Sequence, residues 1–128
     1  MVISRSGNTA YLTEIWNGTE SISSDVAKEK GGSGKYFRPH DLLEAAYASC
    51  LNITTRMVLD SLHIPYEEVT VKVELDRRDN AKTVFMYNIA IAGAADEETK
   101  RKVLKQVMNC SVKKTLSKQL EFRNETRP

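Results

Sequence analysis

The sequence predicts an α+β fold, because segments with strand-like alternation lie both before and after one long apolar segment that begins like a helix. The 128 residues suit one domain over residues 1–128. With 41% hydrophobic and 28% charged residues, the composition is that of a folded protein rather than of a disordered or repetitive one. The chain has two cysteines, Cys50 and Cys110. They are the residues on which an interpretation of function depends.

Charge and hydropathy exclude several classes of function. The 19 Lys and Arg against 17 Asp and Glu give a formal net charge of +2, too small and too dispersed for a nucleic-acid-binding surface. The N-terminus lacks an apolar signal segment, and no run approaches the roughly 18 apolar residues of a membrane-spanning helix. We therefore expect a cytoplasmic protein that binds neither nucleic acid nor membrane. In a reducing compartment, paired cysteines are more often reduced, metal-bound or redox-active than permanently cross-linked.

The N-terminal part predicts a β-hairpin followed by a loop. Residues 11–16 and 19–23 have strand-like composition. They are separated by Asn17-Gly18, which suits a two-residue type I′ turn. Residues 24–36 are rich in Lys, Gly and Ser and show no periodicity, which predicts a flexible loop.

The central segment predicts a long helix from about Pro39 to about residue 62. Proline is favoured in the first helical turn, and the residues before Pro65 are disfavoured in a helix. Apolar side chains surround the axis in the first half, so we expect this helix to be buried on most sides. Polar residues enter in the second half, which is expected to lie nearer the surface.

The C-terminal part predicts two strands and two further helices. Residues 69–75 and 85–91 alternate apolar and polar side chains around a polar turn, which indicates antiparallel strands. Asp96 is a candidate N-cap for the next helix. Near Cys110 the apolar stripe loses its phase, so this residue should lie at a helix junction, with Ser111 capping a short last helix. Residues 120–124 are assigned to a final strand.

The two cysteines allow two interpretations from the residues alone. Cys50 lies in the apolar half of the central helix, and a free cysteine there is usually an inert core residue. Cys110 lies at the predicted helix junction, where a helix N-terminus lowers a thiol pKa. Two such thiols can act as a peroxidatic and resolving pair: a thiolate attacks an O–O bond, and an external dithiol later reduces the resulting disulfide. Both interpretations stay open at this point.

Zinc binding is the competing chemistry for these cysteines. The other available ligands are His40 and His63, and the four residues lack the short spacing of structural zinc sites. We therefore expect no metal and no cofactor. Lys35 and Arg38 are the cations nearest in sequence to the start of the Cys50 helix, and either could place positive charge beside it.

A sequence motif around each cysteine resembles a known family. The run from Pro39 through Leu42, Leu43, Ala45 and Ala46 to Cys50 resembles the first cysteine region of the OsmC/Ohr family, P-x-x-L-[LF]-x-A-[AL]-x-x-x-C. Asn109-Cys110-Ser111-Val112 resembles the second. The resemblance extends over residues 11–125, and Asp25 before Gly31-Gly32 makes the chain look closer to the YhfA-like branch of that family.

The resemblance implies antiparallel sheets packed around a long buried central helix in an intertwined homodimer, with each site near the subunit interface. It implies that Cys50 attacks an organic or fatty-acid-like hydroperoxide, that Cys110 resolves the product, and that an external dithiol completes the cycle. The surroundings of the thiolate are expected to include Arg38, His40, Leu43, Tyr47 and Met57.

Three positions depart from the pattern of peroxidatic family members. His40 stands where those members carry a glutamate, and the first hairpin offers no obvious counterpart of their catalytic arginine, which leaves Arg38 as a substitute. Ser111 stands where many members carry proline. These departures keep a second function open, that of a non-catalytic dimeric protein that binds a small molecule or senses redox state.

Overall fold

A computed structural model describes residues 1–93 and 96–125. The predicted α+β class is confirmed, with antiparallel sheets and a long central helix. The chain divides into two compact units, Met1–Ala45 and Ala46–Pro128, and the long helix runs from one into the other. That the whole chain acts as a single domain stays a prediction. Across the described residues, none of the helices has the length and apolarity needed to cross a membrane.

The first unit contains a three-stranded antiparallel sheet of β1 (Ile3–Ser6), β2 (Thr13–Trp16) and β3 (Ser21–Ser24), in that order. Sequence analysis did not predict β1, because its side chains apart from Ile3 are exposed and three of the four are polar. Backbone pairing with β2, rather than an alternating apolar face, holds this strand in the sheet.

The loop between β2 and β3 differs from the predicted turn. Trp16 pairs with Ser21, so four residues connect the strands instead of two. The Asn17 side-chain oxygen accepts hydrogen bonds from the backbone N–H groups of Thr19 (3.0 Å) and Glu20 (2.9 Å). The hairpin is confirmed, but the predicted type I′ turn is wrong. The Asn17 side chain accepts hydrogen bonds from backbone N–H groups that would pair with backbone carbonyl groups in a two-residue turn.

A buried carboxylate organises the loop that follows β3. Asp25 accepts hydrogen bonds from the Val26 N–H (2.7 Å), the Ser33 N–H (2.8 Å) and the Ser33 hydroxyl (2.7 Å). A side chain at Gly32 would collide with the Val26 carbonyl oxygen and with Asp25, so only glycine fits there. The predicted loop is confirmed, but it has internal structure, including a 3-10 turn over Lys28–Lys30.

Helix α1 (Pro39–Ser61) has the predicted bounds, and local contacts define both its ends. At the start, Asp41 accepts a hydrogen bond from the Arg38 backbone N–H (2.8 Å). At the end, His63 takes a left-handed conformation with φ of 53°. Its N–H donates to the Asp60 carbonyl oxygen (3.1 Å), and the Ile64 N–H donates to that of Leu59 (2.9 Å). This is a Schellman termination, in which the backbone rather than a side chain caps the last turn.

Within the chain, α1 buries one stripe rather than most of its surface. Tyr47, Leu51, Thr55 and Leu59 are buried at spacings of one helical turn. By contrast, Leu43, Ile53 and Met57 are 44%, 45% and 64% exposed. The prediction that α1 is buried on most sides is therefore wrong for the single chain. The prediction that its second half lies nearer the surface is also wrong, because Thr55 and Leu59 are fully buried there.

The second unit packs α1 against a long hairpin. Strands β4 (Glu68–Asp76) and β5 (Val84–Ala92) pair antiparallel along their whole length, which confirms the prediction from alternation. The Asn52 amide on α1 donates a hydrogen bond to the Val69 carbonyl oxygen (2.8 Å), which fixes the helix against β4. The core consists of side chains from both strands and from the helices: Tyr47, Leu51, Leu59, Val69, Ile91, Val103, Val107 and Cys110.

Two helices complete the second unit. Helix α2 (Glu97–Val107) begins as predicted, with the Asp96 carboxylate accepting a hydrogen bond from the Thr99 N–H (2.7 Å). Helix α3 (Ser111–Leu116) follows directly, and its N-cap is Cys110 rather than the predicted Ser111. The predicted final strand at residues 120–124 is wrong, because that segment is exposed and forms no backbone ladder among the described residues.

Candidate thiol site

The two cysteines meet inside the second unit. Cys50 is half-buried on α1, whereas Cys110 is 3% exposed at the junction of α2 and α3, as the sequence predicted. The junction is tight because the Cys110 N–H donates to the Val107 carbonyl oxygen (3.2 Å) while the Cys110 carbonyl accepts from the Lys114 N–H (3.1 Å). The Cys110 thiol lies near enough to Cys50 for each cysteine to shift the pKa of the other. Both cysteines are free thiols.

Hydrogen bonds stabilise the charged form of Cys50. Burial alone would raise the pKa of this thiol, but donors around the sulfur outweigh burial and lower the pKa below its ordinary value. These donors are the Val112 backbone N–H, then the side chains of Ser111, Cys110 and Thr54. The Ser111 hydroxyl oxygen lies 3.6 Å from the Cys50 sulfur. Cys50 is thus the thiol that ionises more readily.

Cys110 has the opposite electrostatic character. Burial raises its pKa, and the adjacent Cys50 raises it further by hydrogen bonding and by charge repulsion. The backbone N–H groups of Lys113 and Val112 only partly offset these effects. The site therefore holds one thiol poised to become a thiolate and one that keeps its proton.

Tyr47 and two neighbouring rings form an aromatic surface near the two cysteines. The buried Tyr47 ring packs edge-on against Phe85 (centroids 5.5 Å apart, planes at 88°) and against Tyr87 (5.7 Å, 79°). Burial, followed by the neighbouring Tyr87 and the two cysteines, raises the pKa of Tyr47 to about 12. Its hydroxyl thus stays protonated near the thiols at physiological pH.

The structure brings together three of the residues that the sequence predicted for the site: Cys50, Cys110 and Tyr47. Arg38, His40 and Leu43 belong to the first unit, and Arg38 forms an ion pair there with Asp41 (3.0 Å). Met57 lies on α1 in the second unit with its side chain largely exposed. Roles for these four residues in the site stay predictions.

Sequence reasoning found one of the groups that act directly on Cys50 and missed the others. Ser111 was assigned a capping role, and Val112 acts through its backbone, for which a side-chain pattern gives no signal. Thr54 lies one helical turn after Cys50, and this spacing predicts that the two side chains share a face of α1. The Ser111 contact depends on packing of α3 against α1, which no local pattern specifies.

Metal binding was the alternative interpretation of the two cysteines. Among residues 1–93 and 96–125, no group of three or more His, Cys, Asp and Glu side chains is arranged to hold a metal ion. Cys50 and Cys110 instead lie beside hydroxyl and backbone N–H groups, which stabilise thiolates by hydrogen bonding.

Comparison with known families decides the assignment that these features suggest. A family model described as OsmC-like protein matches residues 32–125, which include both cysteines and all of the second unit's described helices and strands. This chain belongs to the OsmC-like family. Its closer relation to the YhfA-like branch stays a prediction. Among curated proteins, none matches the chain by sequence.

Solved structures of other OsmC-like proteins share the fold. An OsmC-like protein from Mycoplasma pneumoniae aligns with a TM-score of 0.73 at 17% identity, over 91% of this chain and 85% of that one. An organic hydroperoxide resistance protein OsmC from Legionella pneumophila aligns at 0.63 and 21%, over 91% and 88%. The organic hydroperoxide resistance protein OhrB of Bacillus subtilis aligns at 0.59 and 18%, over 91% and 89%. At these identities, the likeness establishes the shared fold.

Proposed function

We propose that this protein reduces organic hydroperoxides with Cys50 as the attacking thiolate and Cys110 as the resolving thiol. One observation carries the proposal: two neighbouring free thiols have pKa values shifted in opposite directions, that of Cys50 downward and that of Cys110 upward. The names of the Legionella and Bacillus proteins, both organic hydroperoxide resistance proteins, support the same chemistry. A thiol pair of unequal acidity is what sequential attack and resolution require.

The first step consumes the Cys50 thiolate. Its sulfur attacks the terminal peroxide oxygen, an S–O bond forms and the O–O bond breaks, so that Cys50 becomes a sulfenic acid. The sulfur loses two electrons, and the peroxide gains them. The departing alkoxide takes a proton from solvent and leaves as the alcohol. Tyr47 and its aromatic neighbours provide apolar surface beside the sulfur for the organic part of the peroxide.

The second step uses the buried thiol. The Cys110 sulfur attacks the sulfur of the sulfenic acid, the S–S bond forms, and the S–O bond breaks. The hydroxyl group leaves as water with the proton of Cys110. Part of the upward shift in the Cys110 pKa comes from its neighbour Cys50. Because the sulfenic acid is neutral, the repulsive charge is gone at this stage, and Cys110 ionises more easily when its attack is needed. An external dithiol then reduces the disulfide by exchange.

A homodimer is the expected assembly. Leu43, Ile53 and Met57 leave apolar surface of α1 exposed in the single chain, and a second copy is the expected cover. Light scattering of the reduced protein at low micromolar concentration should therefore give twice the chain mass of 14.4 kDa. A monodisperse 14.4 kDa species would contradict the dimer and leave the thiol chemistry to be judged separately.

Mass spectrometry of peroxide-treated protein tests the proposed function. One equivalent of cumene hydroperoxide should convert the wild type to an intramolecular Cys50–Cys110 disulfide. Cys110→Ser should stop at the Cys50 sulfenic acid, trapped by dimedone, because the resolving thiol is missing. Cys50→Ser should keep its remaining thiol reduced, because Cys110 is buried and protonated. If both wild-type thiols survive excess peroxide while the protein stays folded, the proposal is wrong and a non-catalytic binding function is favoured.

A further inference from the structure

A second feature of the thiol-bearing unit is a cavity of about 300 Å³ beside β5 and α3. Tyr47, Phe85 and Tyr87 supply its aromatic lining, and Leu116, Lys113 and Ser117 line it from α3 and the residue after it. Tyr47 is shared with the thiol site, so the cavity adjoins the two cysteines. The proposed chemistry uses the aromatic side chains as apolar surface but gives no role to Lys113.

The aromatic lining favours a flat apolar group. The Tyr47 ring stands nearly perpendicular to both Phe85 and Tyr87, so the cavity offers ring edges as well as ring faces. Aromatic rings attract one another in edge-to-face and offset arrangements. A volume of about 300 Å³ is at the small end for ligand pockets, which suits a compact ring rather than a long acyl chain.

Lys113 adds a positive charge to this lining. Its side chain is half-buried, and it forms no salt bridge with any carboxylate in residues 1–93 and 96–125. On α2, by contrast, Lys100 and Lys102 are paired with Glu97 and Glu98. The first turn of α3 carries no acidic residue that could neutralise Lys113. A ligand carboxylate in the cavity would supply the missing counter-charge in a partly dehydrated setting, where ion pairing is stronger than in bulk water.

A neighbouring cavity in the same unit has no such charge in its lining. It measures about 270 Å³ and is also lined by Tyr87, together with apolar residues such as Leu51, Ile89 and Leu104. No charged side chain is among its lining residues. Two cavities of similar size thus differ in the chemistry they can select, and only the one with Lys113 is suited to an anion.

We propose that the cavity lined by Lys113 binds a compact aryl carboxylate, with the ring against Tyr47, Phe85 and Tyr87 and the carboxylate on the Lys113 ammonium group. Binding does not require the peroxidase activity. If the proposed function also holds, aryl hydroperoxides that carry a carboxylate are the preferred substrate class, and Lys113 determines that specificity.

NMR titration of the reduced protein with 3-phenylpropionate and with its neutral amide tests the proposal. The two probes share the ring and the chain length, so a difference in Kd reports the charge. The acid should bind about tenfold more tightly than the amide, the effect of a charge-assisted hydrogen bond. The backbone N–H resonances of Phe85, Lys113 and Ser117 should shift most on binding. Equal Kd values, or shifts confined to the cavity without Lys113, would overturn the proposal.

Two lysines on α3 provide a matched control. Lys113→Met should abolish the preference for the acid and leave binding of the amide unchanged, which also shows that the variant is folded. Lys114→Met should retain the preference, because Lys114 is exposed and does not line the cavity. If Lys114→Met loses the preference equally, general surface charge is responsible and the proposal is wrong. The titration reports binding alone and does not depend on peroxidase activity. A protein that reduces peroxides but binds neither probe would overturn this inference alone. A protein that binds the acid but reduces no peroxide would overturn only the proposed function.

Discussion

Cys50 and Cys110 are neighbours, yet their surroundings shift their pKa values in opposite directions. Cys50 is half-buried and receives hydrogen bonds from α3 and from its own helix, whereas Cys110 is 3% exposed and lies next to the site of the incipient negative charge. The Val112 N–H favours the thiolate form of both, so that group does not explain the difference. Burial and the number of additional donors do. A difference in burial and in hydrogen-bond donors is thus enough to give two identical side chains opposite pKa shifts.

The start of α3 connects the two environments. Cys110 is the N-cap, Ser111 and Val112 follow it, and both of these next residues donate toward Cys50. The backbone segment that positions Cys110 thus also lowers the pKa of Cys50. Ser111, where many family members have proline, contributes a hydroxyl that proline could not provide.

Removing the Ser111 hydroxyl should reduce the pKa difference between the two cysteines more than any other substitution considered below. Ser111→Ala eliminates a donor 3.6 Å from the Cys50 sulfur, so the pKa of Cys50 should rise toward that of Cys110. A hydrogen bond to a charged group contributes about 1.5 kcal/mol, so alkylation of Cys50 near neutral pH should slow by about tenfold. Stopped-flow alkylation with a chromogenic reagent in a Cys110→Ser background measures this rate.

Ser49→Ala is the matched control for Ser111→Ala. Ser49 precedes Cys50, but its hydroxyl donates to the Ala46 carbonyl oxygen (3.0 Å) and does not act on the sulfur. Its removal should leave the alkylation rate unchanged. Equal slowing in the two variants would mean that helix stability, and not the contact with the sulfur, sets the reactivity of Cys50.

Removing the Arg38 charge should affect the reactivity of Cys50 less than removing the Ser111 hydroxyl does. Arg38 was the sequence-based candidate for activating the thiolate, but its guanidinium is paired with Asp41 and 63% exposed. Because an exposed and already paired charge is strongly screened, Arg38→Met should change the alkylation rate of Cys50 by less than about twofold. Arg56→Met, which removes a guanidinium that donates to Asn52 on α1, serves as the reference. Slowing by Arg38→Met as large as that by Ser111→Ala would restore the cation as the activating group.

Much of the fold could be predicted because local patterns decide it. Alternating side chains specify β4 and β5, and Asp96 specifies the start of α2. Strand β1 was missed because its contribution is backbone pairing with few buried side chains, and the expected strand at residues 120–124 lacks a partner among the described strands. The burial of α1 could not be read from its composition, because an apolar helix does not reveal which face its own chain covers.

The candidate site was predictable in its residues and less so in its mechanism. The motifs identify Cys50 and Cys110, and helical spacing identifies Tyr47 as a neighbour of Cys50. The activating groups were sought among Lys35 and Arg38 because these are close in sequence. The observed donors come mainly from α3, far along the chain, where tertiary packing rather than sequence separation determines contact with Cys50.

The pH dependence of alkylation at each cysteine tests the unequal acidity most directly. Iodoacetamide labelling of the reduced wild type, quenched at short times and resolved by peptide mass spectrometry, gives one rate per cysteine at every pH. Only the thiolate reacts, so each rate falls as pH drops through the pKa of that thiol. Hydrogen bonds lower the pKa of Cys50, whereas burial and the neighbouring Cys50 raise the pKa of Cys110. As pH increases, the alkylation rate of Cys50 should therefore rise first, and that of Cys110 should rise only at higher pH. Coincident curves, or a Cys110 curve that rises first, would contradict the division of roles between the two thiols.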